Sequence, residues 1–307
     1  MKPSQPLRRP LDMAGFWMLL GLATLFGANN LLIKLGNEGL QPVFFAAMRS
    51  LLAGVALVGW MWWRRIGFRL DLWRGGLLVG VAFGIEFFLL FIALDNTTVV
   101  RASVMLYAMP LWLALAAHFL FPGERLTPPR AAGFLIGFAA VVMVIATQAG
   151  DGASVGGSLW GDLAALAAGM FWACIVLCVR LTRLQEAAPE TQLFWQLLVS
   201  TPLLLLLTPV YGGDWVREFD GFQALIFTAH ALGVVAFGYV FWFWLLLRYP
   251  ASSVASFSFL TPVLSALLGW AVLSEPVSSV TPLALALLVA GLWLINRRPA
   301  LAQAGKA

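Results

Sequence analysis

Residues 73–94 read WRGGLLVGVAFGIEFFLLFIAL, with Glu86 as their only acid. A helix needs about 20 predominantly apolar residues to cross a bilayer, and this run has that length and little to offer water. Working outward in both directions, similar runs follow one another along the whole chain. Breakers and hydropathy place ten of them at roughly 13–35, 41–63, 73–94, 98–121, 129–148, 157–180, 189–210, 222–247, 251–274 and 279–297, separated by Pro, Gly and charged residues. Of 307 residues, 61% are hydrophobic and only 11% are charged. Soluble domains carry about 25% charged residues, so a water-soluble fold is excluded. The expected class is all-α integral membrane protein, with ten transmembrane helices and no loop large enough to be a domain.

The net charge of +5 does not indicate nucleic acid, because the basic residues are scattered and form no stripe. They report topology instead. With the N-terminus inside, all of the 19 Lys and Arg except Lys34, Arg49, Arg101 and Arg217 fall in cytoplasmic segments. Such a bias places both termini in the cytoplasm. The apolar run after Arg8 and Arg9 continues to Lys34 with no small-residue cleavage site at its end, so it is expected to be an uncleaved first span.

The two halves echo each other. Met170–Ala173 resembles Leu25–Ala28, Pro189 takes the place of Pro42, and Val235–Gly238 repeats Val81–Gly84. Pro110 and Glu124 have the same spacing, within one residue, as Pro262 and Glu275. Five spans per unit is an odd number, so the second unit enters the membrane inverted, an architecture common in secondary transporters. The expected organisation is an N-tail at 1–12, a first five-helix repeat at 13–148, an external loop at 149–156, a second repeat at 157–298 and a C-tail at 299–307.

Few polar residues lie deep in the spans. Glu86 lies nine residues before Asp95, about 13 Å below the outer surface, and Arg49 lies eight residues after Gln41, about 12 Å down. A charge at mid-membrane costs at least about 2.5–3.5 kcal/mol, so each needs a partner. The second half carries Gln196 and Val240 near the matching places, so both charges are missing there together. A direct Arg49–Glu86 ion pair is therefore expected, either locking the second and third spans or contacting solute or a coupling proton. Asn29 and Asn30 are candidates for a solute carboxylate or for a neighbouring helix. His118 is expected at the inner interface, His230 as a hydrogen-bonded packing residue, and Asp162 at the outer end of the sixth span within reach of water. Gly76, Gly80 and Gly84 form a flat stripe for close helix packing, and Gly157, Gly161, Ala165, Gly169 and Ala173 form a longer one.

Aromatic residues make up 13% of the chain. Trp60, Trp62, Trp63 and Trp73 are placed to anchor at the inner interface. Phe83, Tyr107, Trp112, Trp172, Tyr239 and Trp242 lie deeper and are candidate cavity walls, able to stack on a solute and to attract an ammonium. Pro110 and Pro262 occupy matching places and are candidate hinges. Cys174 and Cys178 share one helix face and are expected to be packing residues. No metal site, cofactor motif or phosphate-binding loop is present. Gly152–Gly156 matches GxSxG in a glycine-rich outer loop, not at a strand-to-helix elbow, so a hydrolase built on Ser154 and His230 is the remote enzymatic alternative; the chain is expected not to be an enzyme.

Three stretches carry a family resemblance: FGANNLLIKLGNEGLQPVFFAAMRSLLAG from Phe26 to Gly54, Pro110 through GERLTPPRAAG at Gly123–Gly133, and Leu273–Pro276 followed by Gly291. They resemble the drug/metabolite transporter superfamily, specifically its EamA-type ten-helix exporters, and among these the YddG-type aromatic amino acid exporters. The resemblance implies a central cavity among helices 1, 3, 4, 6, 8 and 9. It also implies peripheral helices 5 and 10 that are available for homodimer contacts, although a monomer suffices for transport. Cys174–Ile175 stands where the first half has Asn29–Asn30, so the halves do not line the cavity equally.

A single deep cation disfavours phosphorylated solutes, which need several, and the first span lacks the acid that cationic-drug carriers use. The expected function is export of neutral or zwitterionic metabolites, foremost aromatic and other large apolar amino acids, across a bacterial-type inner membrane by alternating access. The partners are then a small amino-acid-like solute and the lipid bilayer, with no nucleic acid. A drug or organic-cation exporter and a channel-like pore are the other readings.

Overall fold

The computed structural model describes residues 11–151, 157–249, 254, 257 and 259–296. Among them the chain is almost entirely helical and has no strand; one antiparallel bridge joins Leu40 to Val216. The helices are α1 (Met13–Gly39), α2 (Pro42–Arg64), α3 (Trp73–Asn96), α4 (Val99–Leu106), α5 (Met109–Leu120), α6 (Pro128–Asp151), α7 (Leu159–Leu181), α8 (Pro189–Tyr211), α9 (Gly221–Thr228), α10 (Tyr239–Arg248), α11 (Thr261–Leu273) and α12 (Val280–Asn296). Eight stretches are long and apolar enough to cross a membrane, and α11 and α12 are shorter apolar helices. The chain is an all-α, multi-pass membrane protein. The terminal tails and the GxSxG loop at 152–156 lie outside the described residues.

Local chemistry sets the ends of these helices. Asp12 Oδ1 accepts from Gly15 N (2.7 Å) to start α1, and Gln41 Oε1 accepts from Phe44 N (2.7 Å) to start α2. Ser158 and Asp220 do the same for α7 and α9. Each cap satisfies an amide that the helix itself cannot. Arg65 and Ser274 close α2 and α11 in the left-handed region, at φ 55° and 52°.

Two crossings are broken at matching places. The fourth is α4 then α5, interrupted at Tyr107–Ala108 just before Pro110; the ninth has a turn at 259–260 just before Pro262. Proline lacks an N–H and clashes with the carbonyl four residues earlier, so it begins a helix more readily than it continues one. The eighth crossing holds a departure that the sequence pattern does not announce. Between α9 and α10, Ala229–Gly238 is a π-helix, a wider coil that is rare and frequent at functional sites when it occurs.

Small residues set the packing. The stripe on α3 lies against α8: a Cβ at Gly80 would fall 2.4 Å from Val199 Cβ and 2.7 Å from the Trp195 carbonyl. On α7, a Cβ at Gly169 would fall 2.7 Å from the Leu106 carbonyl, so α7 runs directly past the broken end of α4. α2 packs on α8, and α6 packs along α12 through Gly133, Gly137 and Gly291. The fifth and tenth crossings thus cover each other.

Asp162 departs from expectation. It is fully buried, not open to water. Arg101, in the first turn of α4, is also buried and pairs with it: Nε lies 3.1 Å from both carboxylate oxygens and Nη2 contacts Oδ2. Arg101 further donates to Thr147 Oγ1 and the Val144 carbonyl, both at 2.8 Å, and Thr97 Oγ1 donates to Asp162 Oδ1 at 2.7 Å. This staple joins α4, α6 and α7. Both residues sit near the ends of their spans, 61 positions apart in the chain, so nothing in their spacing marks them as a pair.

Two outcomes follow for purified protein in micelles. Gly291→Ala would put a Cβ 2.6 Å from the Gly133 carbonyl and 2.7 Å from Gly137 N, both backbone atoms. It should cost about 1–3 kcal/mol and lower the unfolding temperature, whereas Gly59→Ala, whose Cβ meets nothing within 4 Å, should not. Asp162→Asn strands a buried guanidinium and should cost about 3–5 kcal/mol on the soluble-protein scale. Asp71→Asn, at the exposed Arg69–Asp71 pair, should leave thermal unfolding unchanged.

Candidate functional site

The most completely unmatched buried charge among the described residues is Arg49. Its side chain is fully buried in α2, and Nε, Nη1 and Nη2 have no hydrogen-bond partner. The expected direct pair with Glu86 is not formed. Instead the guanidinium lies over Phe87, 3.8 Å from the ring centroid, with Phe83 at 5.7 Å and Phe91 at 5.4 Å. The helical spacing of these three rings on α3 turns their faces toward Arg49, and a cation over an aromatic face gains about 0.5–2 kcal/mol. Glu86 sits on the same helix, buried and with no hydrogen bond or ion pair among the described residues, within electrostatic range of Arg49. Phe83 is therefore part of the cage around the cation.

A second polar element crosses the core beside this cage. His230 Nε2 lies 3.0 Å from Asn29 Oδ1, Asn29 Nδ2 donates to Asn30 Oδ1 (3.1 Å), and Asn30 Nδ2 donates to Ser103 Oγ (3.3 Å). Ser103 Oγ lies 2.6 Å from the Val99 carbonyl and 2.8 Å from Ser265 Oγ. The chain links the π-segment, α1, α4 and α11, so Asn29 and Asn30 are both spent on neighbouring helices. His230 is fully buried between Phe45 (5.5 Å) and Phe91 (5.9 Å), and its Nδ1 has no partner. Phe91 therefore touches both Arg49 and His230. Sequence reading missed Phe45, Phe87, Phe91, Ser103 and Ser265. The two serines, small hydroxyls in otherwise apolar runs, were the available signal.

Half-buried aromatic pairs stand nearby on opposite sides. Tyr107, at the break in the fourth crossing, packs edge-on against Trp172 of α7 (5.8 Å). Tyr239, at the end of the π-segment, and Trp242 pack against Phe26 at 5.7 and 6.1 Å. Tyr107 and Tyr239 lie within electrostatic range of each other, as do Tyr239, Glu86 and Arg49. Tyr239 thus stands between Tyr107 and the buried charges. Trp112 does not join these rings. It lies on α5 facing α6, 6.4 Å from Phe138, because the break at Tyr107–Ala108 turns the second half of the crossing toward the periphery.

One end of the bundle is densely tied. Glu275 accepts from Val99 N (2.8 Å) and Val100 N (3.0 Å), capping α4, and Lys34 donates to the Thr97 carbonyl (2.7 Å). Burial pushes the Glu275 carboxyl above its ordinary range, opposed by those two amides and by Lys34. Arg217 pairs with Asp95 (2.8 Å), which also accepts from Tyr211. Glu124, at the other end, pairs with Arg180, whose hydrogen bond holds the Glu124 carboxyl below its ordinary range. Lys34 lies within electrostatic range of Glu275 without a direct ion pair, whereas Arg180 bonds Glu124 directly. His118 accepts from Leu126 N at the start of the next loop. Cys174 and Cys178 are free thiols, and no cluster of metal-ligand residues occurs among the described residues. A groove of about 890 Å³ between α11 and α12, with Trp270 and Trp293 among its walls, is almost wholly apolar and offers no convergent polar groups.

With this geometry in view, known proteins place the chain. A transporter from Archaeoglobus fulgidus, itself uncharacterized, is 27% identical over 92% of this chain and 97% of its own length. A probable amino-acid metabolite efflux pump of Salmonella typhimurium is 26% identical over 91% and 93%. The aromatic amino acid exporter YddG of Ancylobacter novellus is 30% identical over 62% and 64%. A solved crystal structure, reported simply as that of a protein, superposes with a TM-score of 0.63 at 24% identity, covering 92% of this chain and 97% of the other. The EamA-like transporter model matches residues 13–146 and again 159–297; the chain belongs to the EamA-like transporter family.

Proposed function

We propose that this transporter exports zwitterionic metabolites with large apolar bodies, aromatic amino acids foremost, by alternating access between two inverted five-helix repeats with both termini in the cytoplasm. The observation that carries the reading is Arg49, a fully buried guanidinium with every nitrogen unpartnered, within electrostatic range of Glu86, which has no hydrogen bond or ion pair among the described residues. A protein gains no stability from such an arrangement. A solute that brings a carboxylate and an ammonium together satisfies both groups and leaves no net charge buried. Its apolar body then gains about 25 cal/mol per Å² on leaving water, against Tyr107, Trp172, Tyr239 and Trp242. An amino-acid efflux role in relatives named for it agrees with this chemistry.

Alternating access is supported by the paired breaks before Pro110 and Pro262, the places at which half-helices could swing. In the proposed orientation, the tied end with Glu275, Lys34 and Arg217 is the outer gate, closed in this conformation. The chain then acts as a carrier with no chemistry of its own to perform.

Purified protein in liposomes should take up labelled Phe or Trp saturably and with trans-stimulation. Glu86→Ala should reduce uptake by about tenfold or more, the worth of one charge-assisted hydrogen bond. Carriage of organic cations or sugar phosphates with no amino acid uptake would refute the solute assignment. Orientation has its own test. In a background with Cys174 and Cys178 replaced, Arg125→Cys and Val277→Cys should react with impermeant thiol reagents from opposite sides of the membrane, and labelling of both from one side would overturn the inverted arrangement.

A further inference from the structure

The polar chain between His230 and Val99 has a direction, and that direction fixes the state of His230. The Val99 carbonyl can only accept, and it lies 2.6 Å from Ser103 Oγ. The single hydroxyl proton of Ser103 must therefore lie between them. Ser103 Oγ is then free only to accept, which requires Asn30 to present Nδ2 to it. Asn30 Oδ1 in turn accepts from Asn29 Nδ2, so Asn29 meets the imidazole with Oδ1. An amide oxygen has no proton to give, so Nε2 must carry the N–H. In the neutral ring Nδ1 is then a bare lone pair. It is completely buried and has no partner. A second proton there would set two cations beside the same Phe91 ring, since Arg49 lies 5.4 Å from its centroid and His230 5.9 Å.

We propose that His230 Nδ1 accepts a hydrogen bond from the solute's ammonium group, and that Asn29, Asn30 and Ser103 are positioning residues that hold the imidazole in the tautomer able to do so. This rests on the amino acid reading above and deepens it. A bare lone pair repels a carboxylate and welcomes an N–H donor. Arg49 offers the complementary donors, and Glu86 the countercharge. The site thus separates the two ends of a zwitterion and discriminates against acids of the same shape that lack nitrogen. His230 is carried at the second position of the π-segment.

The chain has two histidines, so His118→Gln leaves one imidazole to observe. Protein carrying ¹⁵N-labelled histidine and this change should show a protonated Nε2 and an unprotonated Nδ1. Phe should move the Nδ1 resonance, and 3-phenylpropionate, which keeps the carboxylate and ring but lacks the ammonium, should not. Asn29→Ala should release the tautomer, giving a mixture with Nδ1–H. In liposomes, His230→Gln should lose the preference for Phe over 3-phenylpropionate by on the order of tenfold. A protonated Nδ1 in the starting protein, or equal responses to the two solutes, overturns the proposal. Phe uptake with an unmoved Nδ1 signal would overturn this assignment alone. No Phe uptake under any condition would overturn the amino acid reading and this assignment with it.

Discussion

The bilayer interior contains no water to hydrate a stray charge or amide, and every other feature of this chain answers to that constraint. Buried charges near the ends of the spans are matched inside the protein. Arg101 shows the pattern: its guanidinium meets Asp162, Thr147 and the Val144 carbonyl, and the carboxylate is met again by Thr97. Glu275 is matched by two backbone amides of α4. Single atoms such as Asn37 Oδ1, Ser50 Oγ and Gln223 Oε1 are also without a partner, but Arg49 is a charged group with all three side-chain nitrogens bare. The rings of Phe83, Phe87 and Phe91 soften its isolation but supply no acceptor. Under the proposed function, the missing acceptor is the carboxylate of the solute.

The same constraint explains how rigid and movable parts divide. Backbone contacts through glycine, such as Gly291 on Gly133 and Gly80 on Trp195, allow the helices to approach without side chains between them. Dispersion then holds the peripheral pairs together without the hydrophobic drive that water provides to soluble cores. The fourth and ninth crossings cannot pack as single rods, because Pro110 and Pro262 each begin a new helix. Their breaks lie beside Tyr107 and near Ser265, within the region bounded by the site. Under the proposed function, these two breaks are the places where the backbone flexes as the site turns to face each side.

Much of the fold was legible because span length, Gly stripes and proline breaks are local. The run from Trp73 to Leu94 became α3, the stripe at Gly76, Gly80 and Gly84 found α8, and both prolines marked helix starts. The site was less legible because its contacts join residues far apart in the chain. Nothing in one sequence says that Arg101 will meet Asp162, or that the rings after Glu86 will take Arg49 before its carboxylate can. Trp112 was misplaced because a break two residues before Pro110 changes which way the following helix faces. The π-segment over Ala229–Gly238 left no residue signature in the hydropathy pattern.

The central claim is that Arg49 is retained for solute at the expense of stability. The most direct measurement is the unfolding temperature of purified protein with Arg49 replaced by Met, of similar length but uncharged, with and without Phe. The account predicts that Arg49→Met unfolds at a higher temperature than the unsubstituted protein when both are ligand-free, and that the rise produced by Phe in the unsubstituted protein disappears. A variant less stable than the original, with its response to Phe intact, would show that Arg49 is a structural residue and would contradict the account.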